Sequence, residues 1–202
     1  MQAFGHIKID VKKIGADMLS ASSHKFHGPK GCGFLYADKN TGIKPFIYGG
    51  GQERGQRSGT ENVPGILGMV KAAEISHRIM DENNRKLRKI NDYMTDRILN
   101  EIDDCICNGN RENRLSNNIN VSFGNIDGKA LLVLLDMEGV YVSGASACNG
   151  GKEKSYVLSS LGVPEKYAEG TIRMTMDYTM NMKQADYVLN VLKKCVNYLR
   201  KK

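Results

Sequence analysis

Residues 20–33 (SASSHKFHGPKGCG) constrain this chain most, because they place one lysine between a run of small hydroxyl residues and a glycine-rich turn. The preceding residues 16–21 (ADMLSA) are short, half apolar and bounded by Gly15, which predicts a buried strand. A second apolar stretch, residues 32–37, predicts the strand that follows the turn. We therefore expect Lys25 just beyond the end of a core strand.

A lysine in that position has two interpretations. Desolvation disfavours an ammonium group, and a neutral amine can attack a carbonyl carbon, which is how a Schiff-base lysine is prepared. The hydroxyls and imidazole beside Lys25 suit an anion such as a cofactor phosphate. A lysine that extends its ammonium from a strand end into water explains the same short pattern. The segment by itself leaves both interpretations open.

Three further residues stand out by their surroundings in the sequence. Cys148 lies among small and glycine residues, which is typical of an exposed loop, and nearby lysines favour a nucleophilic thiolate. Arg173 interrupts an apolar strand pattern, and a buried arginine needs a partner such as a carboxylate. Thr60 precedes a predicted helix whose start suits an anion. The alternative for Cys148 is an incidental loop cysteine, and the alternative for Arg173 is an arginine on an exposed edge strand.

The composition limits the class of protein. The 202 residues are 41% hydrophobic, enough to bury a core in one or two domains, and no apolar run approaches the ~18 residues that span a bilayer. The net charge of +7 is spread along predicted helices without a nucleic-acid-binding pattern, so we expect a solvated surface. The five cysteines show no zinc spacing, which predicts reduced thiols, no metal site and a cytoplasmic location. Cys105 and Cys107 are expected to be structural.

Strands that alternate with helices predict an α/β fold. Apolar residues at helical spacing predict helices over residues 63–78 and 87–102, with a kink or break at residues 81–84 (DENN). We place the boundary between two structural parts along or just after this helix. The other predicted strands are residues 105–107, 119–123, 140–143 and 171–176, and the other predicted helices are 129–137, 155–161 and 183–199.

Three motifs follow one another along the chain. The first is S-S-H-K-F-H-G-P-K-G-x-G-x-L-Y from Ser22. The second is GGGQERGQRSGT at residues 49–60, and the third is SGASAC at residues 143–148 with SYVL at 155–158. In this order they resemble the motifs of the cysteine desulfurases, the NifS/IscS type of pyridoxal 5'-phosphate (PLP)-dependent enzyme within the class-V aminotransferase family. The resemblance implies part of the large domain of a fold type I PLP-dependent transferase, followed by a small α/β domain.

The resemblance implies roles for individual residues. Lys25 would hold the cofactor and later move the α-proton of the substrate, and Cys148 would take the sulfur of L-cysteine as a persulfide and leave L-alanine. Arg173 would bind the α-carboxylate of L-cysteine. The other implied cofactor contacts are Gln2 at the phenolic oxygen, Ser22 and His24 at the phosphate, and Thr60 at the phosphate of the other subunit.

The resemblance also implies partners, namely a second copy in a homodimer and a sulfur-acceptor protein for iron–sulfur cluster assembly or thiolation. It covers only the second half of the family protein, so residues 1–80 would end the PLP-binding domain and residues 81–202 would form the connecting helix and the small domain. The aspartate that pairs with the pyridine nitrogen would belong to the other half. The sheet that carries Lys25 would then lack neighbouring strands, which leaves apolar surface uncovered.

Two alternatives stay open at this point. The first is a non-catalytic remnant or a partner-dependent subunit, which the missing cofactor groups favour. The second is a related class-V activity such as that of selenocysteine lyase, against which the Ser-Ala-Cys loop argues. Asp177 and Tyr178, and the short segment after Cys148, depart from the usual pattern of the family and leave the sulfur acceptor open.

Overall fold

The computed structural model describes residues 2–144 and 155–201. The chain divides into two compact units, Met1–Glu82 and Asn83–Lys202. The helix α1 (Val63–Glu101) begins in the first unit and ends in the second. The assignment of residues 1–80 and 81–202 to the two domains of a PLP-dependent enzyme stays a prediction.

A two-stranded antiparallel sheet forms the centre of the first unit. β1 (Met18–Ser22) pairs with β2 (Gly33–Ala37), which confirms both predicted strands with slightly different ends. The prediction that the first strand is buried is wrong, because only Ala21 of β1 is buried and the sheet has one neighbour per strand among the described residues. Phe26 is buried, and the ring of Phe4 meets the rings of Phe26 and Phe34 edge-on at centroid distances of 4.9 and 5.0 Å. The rest of this small core comprises Ala21, Met69, Cys32, Ala72 and Ala73.

Much apolar surface of the first unit is uncovered. Each strand of the sheet has one neighbour among the described residues, so each keeps an open edge. Met18 and Leu35 on the sheet are half exposed, and Phe46 and Tyr48 are exposed by 95% and 79%. The uncovered sheet that the sequence predicts is therefore present in the structure.

The second unit contains a three-stranded antiparallel sheet. β3 (Cys105–Cys107), β4 (Asn118–Phe123) and β5 (Thr171–Thr175) lie in the order β3-β4-β5. Its helices are α2 (Gly128–Met137), α3 (Tyr156–Ser160), α4 (Glu165–Ala168) and α5 (Met182–Arg200). These elements confirm the α/β prediction.

The apolar core of the second unit lies against one face of this sheet. Side chains alternate along β4, so that one set faces the core and the next set faces away from it. A stripe on α1 and another on α5 pack against the core-facing set. The fully buried members of this core include Ile98, Ile119, Val121, Phe123, Leu131, Ile172, Leu192 and Val196.

The predicted break at residues 81–84 is wrong, because α1 continues through them. The polar side chains there have partners outside the helix: Asp81 accepts from Lys8 Nζ at 3.0 Å, and Asn84 Oδ1 accepts from Ser116 Oγ at 2.6 Å. Neither proline nor glycine lies in this stretch. Tertiary contacts therefore outweigh the weak helix propensity of Asp and Asn.

The predicted strand at residues 140–143 is also wrong. Val140 donates its N–H to Leu135 O at 2.9 Å and so closes the end of α2. Only Ser143 reaches the sheet, where it forms an isolated bridge with Arg173 of β5. A single bridge replaces the predicted strand because the backbone before it is used to end the helix.

The expectation that Cys105 and Cys107 are structural is confirmed. Both are half-buried, unpaired thiols that pack against the core of the second unit. Cys105 Sγ donates to Ile102 O at 3.0 Å, and Cys107 Sγ accepts from Arg114 Nη1 at 3.5 Å. Within residues 2–144 and 155–201, no helix has the length and apolar character to cross a membrane.

Candidate active site

Lys25 lies in a tight connection between β1 and β2, which we call the lysine turn (residues 23–32). Its first residues, Ser23–Phe26, form one turn of 3-10 helix. The turn is closed by two backbone hydrogen bonds, from Ser23 N to Cys32 O at 2.9 Å and from Gly28 N to Ser23 O at 3.0 Å. The half-buried Lys25 is thereby fixed directly after the end of β1, as the sequence predicts.

The lysine turn packs against a face of α1 that consists of small residues. A Cβ atom added at Gly65 would overlap Cys32 Sγ, and one added at Gly68 would lie 2.7 Å from Pro29 Cγ. Residues three and four apart share a helix face, so these glycines form one contact surface. The close approach of the turn to the helix therefore requires glycine at both positions.

The start of α1 is also tied to the lysine turn. Asn62 Oδ1 accepts from Gly65 N at 3.2 Å, as an N-cap residue does, and Asn62 Nδ2 donates to Cys32 Sγ at 3.6 Å. Further along α1, 14 residues after Asn62, Ser76 Oγ donates to Phe26 O at 3.4 Å. The same helix therefore holds both ends of the lysine turn.

Ser23 and Gly28 form the tightest contact within the turn. Ser23 is fully buried, and its Oγ has no hydrogen-bond partner among the residues that the structure describes. A Cβ atom added at Gly28 would overlap this oxygen and would lie 3.2 Å from Ala72 Cβ. The turn therefore has no space for a larger residue at position 28.

Two residues that hold the lysine turn were missed in the sequence. His6 Nε2 donates to Lys25 O at 3.2 Å, although no role was predicted for His6. Asn62 caps α1, whereas the sequence singled out Thr60. The repeated glycines at positions 65 and 68 are the signal that could have revealed the helix face, since small residues three apart indicate close packing.

The predicted cofactor-binding residues of the first unit fall into two groups. Ser22, His24 and Lys25 follow one another at the end of β1, with Ser22 half-buried and His24 exposed. Gln2 and Thr60 are exposed. Thr60 follows a loop held by the bond from Gly59 N to the side-chain oxygen of Gln52 at 3.0 Å.

Arg173 belongs to the second unit, where its backbone is held firmly. Arg173 N donates to Ser143 O at 2.6 Å, and Ser143 N donates to Arg173 O at 3.0 Å. The Nε atom of Arg173 is buried and has no hydrogen-bond partner in the described part of the chain. The predicted nucleophile, Cys148, lies outside the described residues.

A family model described as aminotransferase class-V matches residues 1–188. The chain belongs to this family. The resemblance inferred from the three motifs is thus confirmed.

Curated members of the family resemble the chain along almost its whole length. "Cysteine desulfurase IscS" of Dictyoglomus turgidum is 45% identical over 201 residues, which are 99% of this chain and 51% of that protein. The protein of the same name from Methanosarcina thermophila is also 45% identical, over 99% of this chain and 50% of its own length. The chain therefore spans about half the length of the curated relatives it matches.

Solved structures give the same result for the fold. A protein described as "NIFS-LIKE PROTEIN" superposes with a TM-score of 0.88 at 36% identity, over 98% of this chain and 51% of that one. A NifS-like protein from Rickettsia africae gives a TM-score of 0.86 at 30% identity, over 98% and 52% of the two chains. The chain therefore has the fold of one half of a NifS-type protein, and the predicted partial fold type I architecture is confirmed.

We predict that Gly28→Ala displaces the lysine turn, because the new Cβ overlaps the buried Ser23 Oγ. Overpacking of this kind costs about 1–3 kcal/mol. Amide hydrogen exchange measures the effect at Gly28 N, whose bond to Ser23 O closes the turn. We expect the variant to lose protection there.

The matched control is Gly42→Ala, since nothing lies within 4 Å of a Cβ atom at that position. Combining Gly28→Ala with Ser23→Gly removes the overlapping oxygen and should restore part of the protection. Equal exchange in Gly28→Ala and Gly42→Ala would show that the turn tolerates a side chain at position 28.

Proposed function

We propose that this chain supplies the lysine and the sulfur-accepting cysteine of a PLP-dependent cysteine desulfurase. In the reaction, the Cβ–Sγ bond of L-cysteine breaks and its sulfur joins the thiol sulfur of Cys148, which gives a persulfide and L-alanine. One cysteine and one protein thiol become one alanine and one persulfide, so the reaction needs no external oxidant or reductant. The observation that carries the proposal is the 45% identity, over 99% of this chain, to proteins named cysteine desulfurase.

The residues around Lys25 fit an anionic cofactor. Residues 20–33 contain two histidines, two lysines and three serines but no carboxylate. Two of the donors lie within three residues of Lys25: Ser22 ends β1, and His24 directly precedes the lysine. A set of hydroxyl, imidazole and ammonium donors without a nearby acid matches the chemistry of a phosphate ester.

Each of these residues has a distinct proposed task. Ser22 and His24 bind the phosphate of PLP, Gln2 binds its phenolic oxygen, and Lys25 anchors it covalently. When bound, PLP withdraws electrons from the α-carbon of the substrate. The amine of Lys25 then takes the α-proton and later returns a proton to the product, as a general base and acid.

Arg173 is proposed to orient the substrate. A guanidinium binds a carboxylate through two parallel hydrogen bonds, which fixes both the position and the direction of the ligand. The buried, unpartnered Nε atom of Arg173 supports this task, because an unsatisfied buried donor favours an incoming acceptor. The ligand it suits here is the α-carboxylate of L-cysteine.

Activity is proposed to require the part of the family protein that this chain does not match, whether that part belongs to the same polypeptide or to another one. The open edges of the β1–β2 sheet and the exposed Met18 and Leu35 support this requirement. Thr60 is proposed to bind the phosphate of PLP in a second copy of the enzyme, as a homodimer. A sulfur-acceptor protein would then take the persulfide sulfur in the cytoplasm.

We predict that Lys25→Ala abolishes alanine formation in the completed enzyme. The test co-expresses this chain with the unmatched part of the Dictyoglomus turgidum relative and measures L-alanine produced from L-cysteine. Loss of a general acid–base group should lower the rate by about 100-fold or more. Lys30→Ala, in the same turn and exposed, serves as the control and should keep its activity. An active Lys25→Ala enzyme would disprove the role of this lysine.

We also predict that iodoacetamide labels Cys148 before the structural cysteines. Burial raises the pKa of the Cys105 and Cys195 thiols, so the reactive thiolate is scarce at neutral pH. Raising the pH should speed their labelling about tenfold per pH unit until each pKa is reached. Mass spectrometry of peptides at short times measures the order of labelling. Labelling of Cys105 as fast as that of Cys148 would contradict the proposed reactivity of Cys148.

A further inference from the structure

A polar layer lies on the face of the β3-β4-β5 sheet that is turned away from the apolar core. Its members are Asn108, Asn120, Ser122, Thr171 and Arg173. The antiparallel register of β4 and β5 places Asn120 directly opposite Arg173, and Ser122 directly opposite Thr171. Directly opposed residues share a face and have Cβ atoms about 4.5–5.5 Å apart. Asn120 is therefore the cross-strand neighbour of the arginine that we propose to bind substrate.

Hydrogen bonds within the polar layer run in one direction. Asn108 Nδ2 donates to Ser122 Oγ at 2.7 Å, and the Ser122 and Thr171 hydroxyls lie 2.6 Å apart. Thr171 Oγ1 donates onward to Tyr167 O at 3.1 Å, so Ser122 must be the donor to Thr171. Asn108, Ser122 and Thr171 are all buried. The layer is thus a fixed network rather than a set of solvated side chains.

The side chain of Asn120 is held by the same network. Its Oδ1 accepts from Asn108 Nδ2 at 2.7 Å, and its Nδ2 donates to Ile172 O at 3.3 Å. The amide oxygen that stands opposite Arg173 is therefore already engaged by Asn108. Two bonds also prevent the amide from turning toward the guanidinium.

The guanidinium of Arg173 therefore has hydrogen-bond donors with no acceptor in the described part of the chain. Its Nε is buried without a partner, and it makes no ion pair with any described residue. The facing side chain is a neutral amide, which attracts a guanidinium far less than a carboxylate does. Arg173 is half-buried, and a buried donor without a partner is costly, so the Nε atom favours a carboxylate that arrives with a ligand.

We propose that Asn120 is a specificity-determining residue, whose neutral amide, locked by Asn108, keeps Arg173 unpaired and open to a ligand carboxylate. This inference rests on the proposed role of Arg173 in binding the α-carboxylate of the substrate. A carboxylate at position 120 would have nearly the same shape but would pair with Arg173 across the strands. It would then compete with the ligand for the same donors.

The experiment follows the Nε–H signal of Arg173 in ¹⁵N-labelled chain by NMR, assigned by its loss in Arg173→Lys. The probe is L-alanine, which carries the α-carboxylate but no reactive thiol, and L-alaninamide is the control ligand without a carboxylate. The variants are Asn120→Asp, Asn120→Ala and the charge-matched Asn190→Asp on the exposed side of α5.

We expect Asn120→Asp to shift the Arg173 Nε–H signal before any ligand is added and to weaken L-alanine binding by about tenfold or more. Asn120→Ala and Asn190→Asp should bind within about threefold of the unchanged chain. A purely structural role of Asn120 predicts the opposite order, because Asp preserves the shape and the acceptor while Ala removes both. The order of L-alanine affinity in Asn120→Asp and Asn120→Ala therefore distinguishes a role in specificity from a role in packing.

Three results would overturn the inference: an unshifted Arg173 signal in ligand-free Asn120→Asp, a tenfold loss of binding in Asn120→Ala, or failure of Asn120→Asp to fold. The proposed function fails in a different way. If L-alanine does not move the Arg173 signal of the unchanged chain, Arg173 is not the carboxylate-binding residue. The ligand-free comparison still decides whether a carboxylate at position 120 captures the guanidinium.

Discussion

The close packing of the lysine turn against the small-residue face of α1 is the contact on which the candidate site depends. Gly65 and Gly68 allow the approach, and Asn62 ties the helix start to Cys32. Ser76 holds the other end of the turn through Phe26 O. These contacts hold the backbone just after Lys25, and the bond from His6 Nε2 to Lys25 O holds it at Lys25 itself, so the side chain of this residue starts from a defined position. Positioning a reacting group in advance removes part of the entropic barrier of a reaction.

The two units differ in how much of their apolar surface is buried. The second unit buries a continuous core between its sheet and the helices α1, α2 and α5. The first unit has a small core around Phe26 and leaves a two-stranded sheet with open edges. An isolated two-stranded sheet is marginally stable in water. This contrast agrees with a chain that spans about half the length of its curated relatives.

Sequence patterns predicted the elements in which apolar residues recur at a regular spacing or are bounded by glycine-rich segments. The strands around the lysine turn and the helix α5 follow from such patterns, and their bounds differ only slightly from those observed. The break at residues 81–84 and the strand at residues 140–143 were wrong, because partners distant in sequence decide both. The role of Asn62 was hidden for the same reason, since its contact with Cys32 joins residues far apart in the chain.

The most direct test of the account locates the lysine that holds the cofactor. The chain is incubated with PLP, reduced with borohydride to fix the cofactor covalently, digested and mapped by mass spectrometry. We expect the label on Lys25, with little on Lys30 in the same turn, and loss of this site-specific label in Lys25→Ala. Label spread over exposed lysines, with none preferred at Lys25, would contradict the claim that the lysine turn is built to hold PLP.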